Sequence, residues 1–251
     1  MTSQASSLSE VNLSEQDGVR HLHLGTVWVQ GSMRIRKPYD IELEYVQRMM
    51  AWLLFVPPDW VAGRHAMQLG LGAGAITKFC LRRLDMTCTA IEINPRVADV
   101  CHAWFRLPSP GERLRVVIAN AAEEIRKPEW QGTVDALAVD LYDAQAAAPV
   151  LDSVGFYADC RRLLSEEGCM TVNLFGRSNS YGRNLAHIVA AFGARAVWAF
   201  KPTREGNTVV LAQRSVCRPR REELQARAEA IEARWGLPAS QWLRVFKPIE
   251  K

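Results

Sequence analysis

Between His21 and Ile35 the apolar residues Leu22, Leu24, Val27, Val29, Met33 and Ile35 are separated by polar or small residues, with glycines at 25 and 31. That alternation is the pattern of strands with one buried face, and it predicts short antiparallel strands. After Pro38 the period lengthens. Ile41, Tyr45, Met49 and Trp52 recur every three or four positions, which predicts a helix over 40–55 with Asp40 as N-cap and Pro57 and Pro58 ending it. Beyond Pro58 the two periods take turns. Strands are expected at 65–70, 87–93, 114–119, 134–140 and 169–174, and helices at 75–84, 95–105, 156–164 and 179–192. Strand and helix in alternation mean right-handed crossovers, so the expected fold is α/β, a mainly parallel sheet covered on both faces. Segments 194–200 and 207–213, joined by the polar turn Arg204 to Gly206, should close the sheet as an antiparallel hairpin.

This reading divides the chain into a polar, Ser-rich tail expected to be disordered (1–18), a β-hairpin region with a helix (19–58), a strand–helix domain (59–214), and a C-terminal helix and tail (215–251). Leu224, Ala228, Ile231 and Trp235 fall on one face of the last helix, Glu222 and Glu223 in its first turn, and Gly236 just past its end. Its apolar stripe needs a cover, either the chain's own core or a second copy in a homodimer.

Composition narrows the class. Of the 251 residues 48% are hydrophobic and 23% charged, a balance that excludes disordered and fibrous chains. No apolar run approaches the ~20 residues that span a bilayer, and the N-terminus has no hydrophobic signal core, so a cytoplasmic protein without a membrane partner is expected. The net charge of +4 is accounted for by the stretch from Arg214 to Lys251, which holds nine basic and five acidic residues. The preceding core is neutral and shows no basic stripe for phosphates, so no nucleic-acid partner is expected. Six cysteines without a C-x-x-C pair point to buried thiols. His21 and His23 have no companion ligands in the pattern, and no metal is expected. Trp52, Trp104 and Trp198 lie in apolar-periodic segments and are expected in the core.

The chemistry concentrates at the ends of the predicted strands. Gly70, Gly72 and Gly74, with Ala73 between the last two, occupy the turn from the first parallel strand into its helix. Glycines there let a ligand approach the backbone, and the helix N-terminus behind them offers free N–H groups. A dinucleotide fingerprint would want its third glycine at position 75, which is Ala, so an NAD-dependent dehydrogenase is disfavoured. Glu92 ends the second strand, where a carboxylate can accept both ribose hydroxyls. Asn120 ends the third and could meet an adenine edge or cap the following helix. Glu123 and Glu124 on that helix are expected to be solvated. Asp140 and Asp143 follow the fourth strand at the crevice edge, where acids would attract a cationic amine and accept its proton. Tyr142, between them, could stack on a ligand or close over it.

These residues bear a resemblance. Leu-Gly70-Leu-Gly-Ala-Gly74, Ile-Glu92-Ile-Asn-Pro95, Phe105-Arg-Leu-Pro108, Asp140-x-x-Asp143 and Phe156-Tyr157 together look like the spermidine synthase, or polyamine aminopropyltransferase, family, over roughly residues 20–213. The resemblance implies a class I S-adenosylmethionine methyltransferase fold behind a small β region, and transfer of an aminopropyl group from decarboxylated S-adenosylmethionine to a small amine such as putrescine. It implies Glu92 on the ribose, Asn120 and Ala121 beside adenine, Asp140 as the base, Asp143 as a diamine ligand and Tyr45 in the pocket wall. The chain departs from the family where Ala73 replaces an Asp that holds the donor's ammonium, where Arg34 stands for a Gln, and where Asn120 replaces an acid. Arg34 could pair with the carboxylate of intact S-adenosylmethionine, which makes methyl transfer the alternative activity. A nucleoside-binding protein without turnover is the other alternative.

Overall fold

The computed structural model describes residues 8–142, 151–175 and 180–250. A small antiparallel sheet comes first, in the order β1 (Asn12–Gln16), β2 (Val19–His23) and β3 (Val29–Arg34). β1 corrects the expectation of a disordered tail through residue 18. Its residues are mostly exposed and polar, so it has no alternating signature and is held as an edge strand by pairing with β2 in register Asn12↔His23 to Gln16↔Val19.

The expected helix over 40–55 is also corrected. It is only α1 (Glu44–Arg48), capped at Leu43 and not Asp40, followed by a 3₁₀ segment Ala51–Phe55. The run Met49 to Val56 is buried on every side, so it packs as an irregular apolar plug and not as an amphipathic helix.

The main domain continues with β4 (His65–Leu69), α2 (Ala75–Arg82), β5 (Thr87–Glu92), α3 (Pro95–Trp104), β6 (Leu114–Ile118), α4 (Ala121–Glu124), β7 (Val134–Val139), α5 (Val154–Leu163), β8 (Leu164–Phe175), α6 (Tyr181–Phe192), β9 (Val197–Phe200), β10 (Asn207–Gln213), α7 (Arg221–Trp235), α8 (Ala239–Val245) and β11 (Phe246–Pro248). Eight strands form one sheet in the order β11-β9-β10-β8-β7-β4-β5-β6. β6, β5, β4, β7 and β8 are parallel, and β10 runs antiparallel to both β8 and β9. The hairpin β9–β10 forms as expected but does not end the sheet, because β11 adds beyond β9.

The sheet's two faces feed two cores. Ala66, Ala90, Ala136 and Ala138 face the plug with Trp52 and Phe79, while Met67, Leu69, Leu137 and Val139 face Tyr157, Leu163 and Ile188 of α5 and α6. Small residues on the first face leave room for the bulky plug. α7 lays its stripe on this same core, with Ala228 and Ile231 fully buried and Arg227 donating to the Leu54 carbonyl at 3.0 Å, so the stripe is covered within the chain. No helix among the described residues is long and apolar enough to cross a membrane.

Two further expectations are corrected. Trp104 is 51% exposed and lies under the Arg20 guanidinium, 5.3 Å from its ring centre, instead of in the core. Glu124 is buried, accepting the Trp130 indole N–H at 3.1 Å and pairing with Lys127 at 2.7 Å. Five of the cysteines are buried thiols, and Cys217 is exposed.

Candidate functional site

Strand order reverses between β4 and β7, whose carboxyl ends part at Gly70 and Asp140, and a crevice opens there as in other doubly wound sheets. Gly70 sits at φ +84°, and a β-carbon on it would collide with the backbone oxygen of Asp140. Glycine is required by that approach. The turn after it is pinned by Gln68, a buried amide in an otherwise apolar strand. Its oxygen accepts the Thr77 N–H (3.0 Å) and hydroxyl (2.6 Å), and its nitrogen donates to the carbonyls of Gly70 (2.7 Å) and Leu71 (3.2 Å). Strand, turn and α2 are thereby tied together by one side chain.

Glu92 ends β5 beside this turn and is 8% exposed. One carboxylate oxygen accepts the Leu71 N–H (2.8 Å) and the other the Asn94 N–H (2.9 Å). Each oxygen keeps lone pairs for a further donor. Burial raises its pKa above the usual carboxylate value, and the backbone N–H groups oppose the rise. Asn120 caps α4, its side-chain oxygen accepting the Ala122 N–H at 3.0 Å, and both Asn120 and Ala121 line the crevice.

On the opposite wall Asp140 accepts the Tyr45 hydroxyl at 3.2 Å on one oxygen and the Asn173 amide N–H at 2.9 Å on the other. Desolvation raises its pKa, and the two hydrogen bonds pull it back down. Burial and the neighbouring carboxylate push the Tyr45 hydroxyl well up, so it remains a donor. Asn173 in turn accepts from the Asn207 amide at 3.0 Å. Tyr142 is committed to β8, where its hydroxyl donates to the Asn173 carbonyl at 2.9 Å and accepts the Phe175 N–H. Its ring meets Phe175 edge-on at 6.4 Å, and Phe175 meets Trp28 of the β2–β3 connection at 6.3 Å, forming an aromatic rim.

Together these walls and the N-terminal hairpin enclose a cavity of about 780 Å³. Gly70, Gly72, Glu92, Asn120, Ala121, Tyr45, Asp140 and Tyr142 all line it. Arg34, Ala73 and Gly74 stand outside the lining. Arg34 is half-exposed and ion-paired with Glu42. Ala73 is 2% exposed because β3 presses on the turn: a β-carbon at Gly31 would stand 2.5 Å from the Ala73 nitrogen and 2.7 Å from its β-carbon. Gly74 faces Leu107 and Lys78. Asp143 lies outside the described residues.

The charged side chains of the described lining are Glu42, Glu44, Glu92, Asp140 and Glu205, all acidic. Glu42 is offset by Arg34 and Glu44 by Arg48, while Glu205 has no ion-pair partner among the described residues. Such a cavity attracts cations and repels carboxylates. Gln68, Asn173, Asn207 and Glu205 were not singled out by sequence reasoning. The first two carry a signal, a lone amide inside an apolar strand, which marks a buried polar group with a partner to find.

No family model matches the sequence. The polyamine aminopropyltransferase of Chromobacterium violaceum is 31% identical over 242 residues, spanning 96% of this chain and 90% of that protein. Among solved structures, a probable spermidine synthase from Corynebacterium glutamicum superposes with a TM-score of 0.77 at 18% identity, covering 97% of this chain and 88% of the other. The human methyltransferase-like protein 13, in complex with SAH, follows with a TM-score of 0.70 at 22% identity over 78% of this chain and 93% of the other.

Proposed function

The chain belongs to the polyamine aminopropyltransferase family, and from that premise we propose that it transfers an aminopropyl group from decarboxylated S-adenosylmethionine to a small diamine such as putrescine. The observation that carries this reading is the lining itself, a cavity of about 780 Å³ whose described charged side chains are all carboxylates. Both substrates of this reaction are cationic, one a sulfonium with an ammonium tail and the other a protonated diamine.

In this reading the two ribose hydroxyls of the donor share the Glu92 carboxylate, whose oxygens are already aimed by Leu71 and Asn94. The adenine lies toward Asn120 and Ala121. The acceptor enters beside Asp140 and Tyr45, with Glu44 and Glu205 on the same wall system drawing its far ammonium. An alkylammonium has no lone pair, so its proton must leave before attack. Asp140 takes that proton, the freed nitrogen attacks the aminopropyl carbon next to sulfur, the carbon–sulfur bond breaks, and its electron pair stays on sulfur in neutral methylthioadenosine. The new nitrogen–carbon bond carries the positive charge away from the sulfonium, and the carboxylates beside it stabilise that charge as it forms.

Decarboxylation of the donor is favoured by charge. The carboxylate of the intact molecule would meet acids, and Arg34, the cation considered for it, is held by Glu42. The Asp that the family places at position 73 is replaced by an alanine packed under β3, so the donor's ammonium relies on the remaining acids. The test is release of methylthioadenosine with putrescine present. Turnover is expected with the decarboxylated donor, and turnover with intact S-adenosylmethionine alone would overturn the reading.

A further inference from the structure

The amide chain behind Asp140 crosses three adjacent strands. Asp140 follows β7, Asn173 lies on β8 one step beyond the Val139↔Val172 pair, and Asn207 opens β10 two positions from Val209, the partner of Asn173. Residues two apart on neighbouring antiparallel strands share a face and are within reach of each other. Asn207 is anchored in turn, its N–H donating to the Thr203 hydroxyl at 3.2 Å and its carbonyl accepting the Thr203 N–H at 2.7 Å. Both amides are buried, Asn173 at 4% and Asn207 at 8% exposure.

A primary amide has one accepting and one donating end, and the two are exchanged by a half-turn. If Asn173 turned over, its oxygen would face the Asp140 carboxylate, an arrangement that only a protonated Asp140 could satisfy. Asn207 prevents this by occupying the oxygen of Asn173, which leaves the nitrogen for Asp140. We propose that Asn207, itself part of the cavity lining, is a positioning residue for the base: it fixes the direction of the Asn173 amide and so keeps Asp140 in its proton-accepting form. The proposal rests on the reading of Asp140 as the base.

The other titratable groups around Asp140 are Tyr45 from α1, Tyr142 after β7, and Glu42, Glu44, Glu92 and Glu205 along the cavity lining. Replacing Asn207 alters none of them and adds no charge. Asn207→Leu removes the donor while keeping the branched outline of the side chain, and Asn207→Gln keeps a donor. The pH profile of kcat/KM for the acceptor should show the acid-side limb of Asn207→Leu moved to higher pH by ~1 unit, about the worth of one hydrogen bond to a charged group. The limb of Asn207→Gln should fall between it and wild type, and methylthioadenosine affinity should stay unchanged in both, which also reports an intact fold.

If Asn207→Leu still binds methylthioadenosine and keeps the wild-type limb, a merely structural role is left and the proposal fails. Asp140→Asn separates this from the underlying reading. An inactive Asp140→Asn with an unmoved limb in the Asn207 variants defeats only the positioning role, whereas a fully active Asp140→Asn defeats the base assignment and the proposal with it.

Discussion

Glu92 and Asp140 stand at the carboxyl ends of strands on either side of β4, both raised in pKa by burial, yet they are held in different ways. Glu92 is gripped by two backbone N–H groups from its own turn and the neighbouring glycine loop. Asp140 is gripped by two side chains, Tyr45 from the N-terminal region and Asn173 from β8. One wall is built from backbone and stays put as side chains vary. The other is built from side chains of distant segments, where identity and protonation can be tuned. A rigid anchor suits a group held constant through a reaction, and a tunable one suits a group that exchanges a proton.

Reciprocal substitutions should separate the walls most sharply. Asp140→Asn is expected to lower kcat by about 10²–10⁴-fold with methylthioadenosine affinity retained, the usual range for losing a general base. Glu92→Gln should instead weaken methylthioadenosine by about 10–100-fold in titration calorimetry, since a charge-assisted pair of hydroxyl bonds is lost. If both variants changed affinity and rate alike, the division of labour would be wrong. Stability should move the other way from activity. Asp140 has a folded pKa above its unfolded value, so its ionisation costs stability at neutral pH, and that cost fades as pH falls through the raised value. Asp140→Asn should therefore melt above wild type at pH 7, with the difference shrinking under acid.

The glycine loop, Glu92 and Asp140 were legible because each is a short local pattern at a strand end. Asn207 was not, because its role exists only in the diagonal register of β10 on β8, which no local pattern encodes. The same limit hid β1, whose only apolar residue is Leu13 and whose pairing comes from its neighbour. The helix expected over 40–55 failed for the opposite reason. Ile41, Tyr45, Met49 and Trp52 do keep helical spacing, but Met50 and Ala51 before Trp52 and Leu53, Leu54 and Phe55 after it are apolar too, and a segment apolar all round follows the cavity it plugs. Arg34 and Ala73 were drawn toward the donor by sequence position, and packing holds both off the cavity wall, one by an ion pair and one by the press of Gly31.

The roof over the backbone-built wall can be probed next. Gly31→Ala would overpack the contact with Ala73, at a cost of roughly 1–3 kcal/mol and a melting temperature lower by ~2–4 °C for each of those, with donor affinity falling alongside. A fully wild-type melting curve would mean that β3 does not seal the loop. The smallest effect is expected at the rim of the other wall. Glu205→Gln should raise the acceptor's KM by about 2–5-fold, as befits an exposed carboxylate, and leave the donor's KM alone. A change in donor KM would move Glu205 to the wrong side of the comparison.

Tyr45, Asp140, Asn173 and Asn207 enter one hydrogen-bonded chain from four stations along the polypeptide. During synthesis the tyrosine leaves the ribosome long before the asparagine that steadies the far end, and domains are made from the N-terminus onward. A nascent chain halted before residue 207 would already carry the glycine loop and Glu92 but would lack the last member of that hydrogen-bonded chain. The hydrogen-bonded chain around Asp140 is therefore completed only as the antiparallel edge of the sheet is laid down.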